Sequence, residues 1–147
     1  MSYEIESKYY RHGYLCVVIM TDMGHRCGYV GIPEKHPLYQ IDAGKKASCL
    51  ETVRPTVWFN VHGGITFSGF GRYRYPLFQN VAGAFWWYGY DCADYGDAPD
   101  TSRIKDPRHI KLRLHSAWHG VVRSLDYCIN ECNSLADQLK EVEDANN

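Results

Sequence analysis

A run of apolar residues near the C-terminus restricts this chain more than any other feature. Val121, Leu125, Cys128, Cys132, Leu135, Leu139 and Val142 recur at alternating steps of four and three. Val122, Ile129 and Ala136 widen that stripe, while Asp126, Asn130, Glu131, Asn133, Asp137 and Lys140 take the opposite side. The period is helical and amphipathic. It predicts one helix of about six turns from about Val121 to Val142, with the closing EDANN frayed. Such a helix must bury its apolar face on a sheet, on a second helix, or on both. A broad face suits a sheet and a four-three seam suits a helix, so the pattern predicts both. The expectation is a homodimer with Leu135 and Leu139 in its interface.

The rest of the chain supplies the sheet. YLCVVIM (14–20) is an unbroken apolar run rich in β-branched residues, which marks a buried strand. TDMGHR turns around Gly24, and CGYVGI (27–32) returns as a second strand. Pro33 and Pro37 then break the pattern into a loop, and residues 40 to 56 show little periodicity. In TVWFNVHGGITFSGF, Val57, Phe59 and Val61 alternate with Trp58, Asn60 and His62, a strand interrupted at Gly63 and Gly64 by a bulge or a close approach. AFWWYGYDCA (84–93) is a further strand, aromatic on both faces. Strands first and one strong helix last predict an α+β fold. It is an antiparallel sheet with one long C-terminal amphipathic helix packed on it. The 147 residues make a single domain, 1–147.

No run of about 18 apolar residues is present, so no membrane span is expected. The polar, mixed-charge opening MSYEIESKYYRHGY does not have the pattern of a signal peptide, which points to the cytoplasm. Six cysteines lie scattered without a C-x-x-C pair and are expected to be reduced, buried thiols. Cys128 and Cys132 are one helical turn apart, but no second pair at ligand spacing accompanies them. A net charge of -1 argues against duplex nucleic acid as a partner. Positive charge is nevertheless concentrated in RIKDPRHIKLRLH (Arg103, Lys105, Arg108, Lys111, Arg113), with Arg72 and Arg74 elsewhere. A solvated loop accounts for such a run, and a seat for phosphates needs only two or three of its members.

Two segments concentrate groups capable of chemistry. In HGGIT, His62 can accept or donate a hydrogen bond or act as a general base. Gly63 and Gly64 beside it allow close approach to amide N–H groups, and Thr66 follows. A strand-end histidine satisfied by the backbone is the plainer account. In WWYGYDCADYGD, Asp91, Asp94 and Asp97 are spaced by three. They suit a cation, ribose hydroxyls or a base, and equally suit turns and helix caps. The spacing does not fit a calcium-binding loop. Trp86, Trp87, Tyr88 and Tyr90 either build a core or offer a flat ring to a ligand base. The two segments are expected to lie side by side. No P-loop, nucleophile elbow, H-E-x-x-H or dinucleotide fingerprint occurs.

Taken in order, GYVGIPEKHPLY, VHGGITFSG, WWYGYDCADYGD and LDYCINECNSLADQL resemble a family of small phage and bacterial proteins that generally carry no assigned function. The resemblance runs from about residue 28 to 139. In that family the position of Asp94 is often histidine, a departure that weakens a pairing of His62 with a second histidine. The resemblance implies an accessory protein. It suggests the class of phage anti-defence proteins that sequester nucleotide-derived signals of bacterial immunity, acting in the host cytoplasm.

Residues and resemblance together lead to a binding protein, rather than an enzyme, for a small anionic nucleotide-like ligand. His62, Gly63, Gly64 and Thr66 would meet polar groups or phosphate. Trp86, Trp87 or Tyr90 would stack on the ring, Asp91 or Asp94 would take ribose hydroxyls, and Arg108 with its basic neighbours would close over phosphate. No cofactor and no metal are expected. The alternatives are a small hydrolase or lyase with His62 as general base and Asp91, Asp94 or Asp97 as second acid or metal ligand, and a protein–protein inhibitor.

Overall fold

The computed structural model describes residues 2–43, 59–71, 85–110 and 119–146. Among the described residues five strands form one antiparallel sheet: β1 (Tyr3–Arg11), β2 (Tyr14–Thr21), β3 (Arg26–Ile32), β4 (Phe67–Gly69) and β5 (Trp86–Asp91), in the order β1-β2-β3-β5-β4. A helix, α1 (Leu125–Ala145), packs on one face. The fold is therefore the expected α+β arrangement. No helix among the described residues is long and apolar enough to cross a membrane.

β2 explains why its sequence is apolar without a break. Tyr14, Cys16 and Val18 face α1, while Leu15, Val17 and Ile19 enter a second cluster with Tyr29 and Trp87. All eight residues are buried, so both faces of the strand are covered. β1 went unread in the sequence because it is a half-exposed edge strand with a register shift between Ile5 and Ser7. It joins β2 through His12 and Gly13, both at positive φ, the two-residue turn whose twist suits a hairpin.

α1 begins later and ends later than its periodicity suggests. Ser124 caps it by accepting from the Tyr127 N–H at 3.1 Å, and Asp126 in the first turn complements the helix dipole. Val121 instead bridges to Asp97, with N–H···O bonds of 2.9 Å from Ala98 to Val121 and from Val121 to Gly96. At the other end Glu143 is buried and accepts from the Tyr14 hydroxyl at 2.8 Å, which keeps the last turn helical rather than frayed. Leu135 and Leu139 are fully buried against the sheet. They are intramolecular core, which overturns their assignment to a dimer seam.

Candidate functional site

The HGGIT segment is not a strand. Val61 to Gly64 form a turn closed by the Gly64 N–H donating to the Val61 carbonyl at 2.8 Å, with Gly63 and Gly64 both at positive φ. Pairing resumes only at Phe67. Burial still alternates, Phe59 and Val61 inward and Asn60 outward. Thr56 to Trp58 lie outside the described residues. This turn sets His62 beside the loop that follows β5, so the two segments do lie side by side. The Thr66 N–H donates to the Gly89 carbonyl at 2.9 Å, and its hydroxyl donates to Asp91 Oδ2 at 2.9 Å.

The centre of the constellation is Asp97, whose side chain has no exposed surface. Its Oδ2 lies 2.8 Å from His62 Nε2 and accepts from the Asp94 N–H at 3.0 Å. Its Oδ1 accepts from Arg123 Nε at 2.8 Å. A carboxylate can only accept, so His62 carries a proton on Nε2, and its Nδ1 is hydrogen-bonded to the Tyr127 hydroxyl at 2.8 Å. Arg123 in turn lies over the Tyr127 ring, 5.3 Å from its centroid. Burial alone would raise the Asp97 pKa, but hydrogen bonds from Arg123, His62 and the Asp94 amide outweigh it and hold the carboxyl below its usual range.

Asp94 is its counterpart in the opposite sense. Burial, followed by the charges of Asp91 and Asp97, pushes its carboxyl above the usual range, against the pull of His62. Its Oδ2 is 3.7 Å from His62 Nε2, is buried, and has no hydrogen-bond partner. The rest of the side chain reaches solvent, about a third exposed. Gly63 makes this placement possible, since a Cβ there would sit 2.0 Å from Asp94 Oδ2. His62, Asp94 and Asp97 are the only trio of possible metal-ligating groups among the described residues, with one ligand atom from each within 4.8 Å of the others.

The remaining candidates fall elsewhere. Trp86, Trp87 and Tyr90 are core residues, at 8%, 1% and 1% exposure. Trp86 donates to the Ile41 carbonyl and Tyr90 to the Cys128 carbonyl. Their rings present no open face on which a base could stack, so the stacking role expected of them is corrected to packing. Gly64 spends its amide on the turn. Arg108 is 87% exposed and folds back onto Asp106 at 2.7 Å. Arg103 is held by Glu4 at 2.7 Å and Glu6 at 3.4 Å, which ties it to β1 rather than leaving it to close over phosphate. Arg72, Arg74, Lys111 and Arg113 lie outside the described residues.

Arg123 and Tyr127 escaped the sequence reading. Their signal was the Ser124 cap: placing the helix start there puts one side chain on each side of it, at the end nearest Asp97. No protein-family model, no curated protein and no solved structure matches this chain.

Proposed function

We propose that the protein is a small hydrolase acting on an anionic, nucleotide-like substrate, the second of the sequence-based readings, with its reaction centre at His62, Asp94 and Asp97. One observation carries this: a fully buried carboxylate, Asp97, fixes both His62 and Arg123 at 2.8 Å. A buried acid that orients an imidazole is a recurring catalytic arrangement, because it sets the tautomer and supports a developing positive charge. Arg123, held on the other oxygen of Asp97, fixes that carboxylate from the far side, and the glycine turn leaves room for approach. Tyr127, hydrogen-bonded to the other ring nitrogen, completes a path along which a proton can pass.

The sequestering alternative loses most of its support with the burial of Trp86, Trp87 and Tyr90. The family resemblance contributes the setting, an accessory protein working in a bacterial cytoplasm and, where phage-encoded, in that of the host. The five described cysteines are free and buried, in keeping with such a compartment. Incubation with a panel of cyclic and linear nucleotides, followed by heat denaturation and chromatography, tests the reading. New product supports a hydrolase. Quantitative return of intact, previously bound nucleotide means sequestration, and absence of both uptake and product means the substrate class is wrong.

A further inference from the structure

We propose that His62 Nε2, Asp94 Oδ2 and Asp97 Oδ2 form a three-ligand seat for a divalent transition-metal ion of the Zn²⁺ or Mn²⁺ class. This departs from the expectation of no metal, which rested on the cysteine spacing and on Asp94 standing where a second histidine would pair with His62. It deepens the hydrolase reading, since a bound cation takes over from His62 the activation of water. The binding itself does not depend on that reading.

Three observations converge. First, bonds of about 2.0–2.2 Å set the ligand atoms of a tetrahedral ion roughly 3.4 Å apart. His62 Nε2 and Asp94 Oδ2 are already 3.7 Å apart, and the 2.8 Å hydrogen bond to Asp97 need only widen slightly once the ion displaces its proton. Second, Asp94 Oδ2 is buried without a hydrogen bond, an arrangement that costs free energy unless something accepts its lone pairs. The chain commits Gly63 to that placement, because any side chain there would collide with the carboxylate.

Third, the outer partners are those a metal site uses. Ligating histidines hold their second nitrogen in a hydrogen bond, and ligating carboxylates are themselves bonded. Tyr127 is on His62 Nδ1, and Arg123 and the Asp94 amide are on Asp97. A phenol both donates and accepts, so Tyr127 keeps its bond when the His62 proton moves from Nε2 to Nδ1. An imidazole with two carboxylates selects a borderline transition ion over Mg²⁺ or Ca²⁺, which take oxygen ligands. Three protein ligands on a partly exposed rim leave a position for water or substrate.

The test uses the full chain, stripped with chelator and titrated calorimetrically with Zn²⁺, Mn²⁺ and Mg²⁺, and with Co²⁺ followed by visible absorption. The expected result is one equivalent of Zn²⁺ or Mn²⁺, little affinity for Mg²⁺, and a Co²⁺ spectrum without a thiolate charge-transfer band. Asp94→Asn should weaken binding about tenfold or more while leaving the circular dichroism spectrum intact. Tyr127→Phe, outside the ligand set, should weaken it less. No stoichiometric ion, a thiolate band, or unchanged affinity in Asp94→Asn overturns the proposal. Metal binding without turnover of any nucleotide refutes the hydrolase and leaves the seat standing. Turnover by chelated protein together with no stoichiometric ion in the titration does the reverse.

Discussion

Gly63 and Gly64 offer a matched pair of substitutions that separates backbone strain from crowding at the site. Both have positive φ, +66° and +77°, so alanine at either is strained by roughly 1–2 kcal/mol. Their surroundings differ completely. A Cβ at Gly64 meets nothing within 4 Å, whereas at Gly63 it lies 2.0 Å from Asp94 Oδ2 and 2.6 Å from its Cγ. One of the two groups must move. The turn is held by the Gly64 to Val61 hydrogen bond, while Asp94 Oδ2 has none to lose and its side chain reaches solvent.

Asp94 should therefore swing outward, at about 0.5–1.5 kcal/mol for the displaced rotamer. Gly64→Ala is expected to lose about 1–2 kcal/mol in urea unfolding and to keep its metal affinity. Gly63→Ala should lose about 1 kcal/mol more, a small difference, yet bind Zn²⁺ or Mn²⁺ at least as poorly as Asp94→Asn. Stability and binding thus part company at one position and not at its neighbour. Equal metal affinity in the two alanine variants would refute the assignment of Asp94. A gap in stability above about 3 kcal/mol, the upper range for overpacking, would show that Asp94 is locked in place and cannot swing.

Five further outcomes follow from the packing. Leu139→Ala, at a fully buried position, should cost about 2–5 kcal/mol in urea unfolding, and Leu135→Asp should unfold the chain rather than split an oligomer, as light scattering beside circular dichroism will distinguish. Asp97→Ala leaves His62 and Arg123 without their shared acceptor; since Arg123 is 27% exposed, the loss should sit near the low end of about 3–5 kcal/mol, read from the urea midpoint. His36, buried with Nε2 near the Leu139 carbonyl and Nδ1 accepting from Leu38, has its pKa lowered by burial, against the Leu139 hydrogen bond and Glu143, with Lys140 adding to the lowering. Its contribution is complete above the unfolded value of about 6.5 and declines as pH falls below it, and His36→Gln should flatten that slope in urea midpoints measured across the range. Of the six thiols, the five described are buried, so native protein should react with a thiol reagent at one cysteine at most and unfolded protein at all six.

What the sequence displayed about the fold, and what it hid, divides along physical lines. α1 and β2 were legible because burial on one face or on two writes itself directly into apolar periodicity. β1 was not, because an edge strand with a bulge and half its residues in solvent has little periodicity to write. The helix start was misplaced at Val121 for a related reason. Apolar spacing continues through Val121 and Val122, both exposed, and only the Ser124 cap marks where helical hydrogen bonding begins. Of the second apolar stripe the sheet buries Ala136 fully and Ile129 in part, while Val122 stays exposed.

At the site, the residues were legible and their roles were not. Alternation places Trp86, Tyr88 and Tyr90 on one face of β5 and Trp87 on the other, but a strand aromatic on both faces reads the same whether it meets a ligand or a core. Only the cover on each face decides, and here each face is covered. The acid–imidazole pair is harder still, because it joins residues 35 positions apart, and Arg123 reaches Asp97 across 26. That last contact depends on the bridge from Asp97 to Val121, a backbone pairing with no side-chain signature. The bridge docks the loop after β5 against the segment leading into α1, which brings Arg123 to Asp97 Oδ1, the oxygen opposite the one that His62 and the Asp94 amide share. Asp97 is then anchored to a cation on one side, and Asp94 alone keeps a buried oxygen unpaired. The asymmetry between two carboxylates three residues apart is what separates a cation seat from a pair of turn-forming aspartates, and it exists only once the chain has folded.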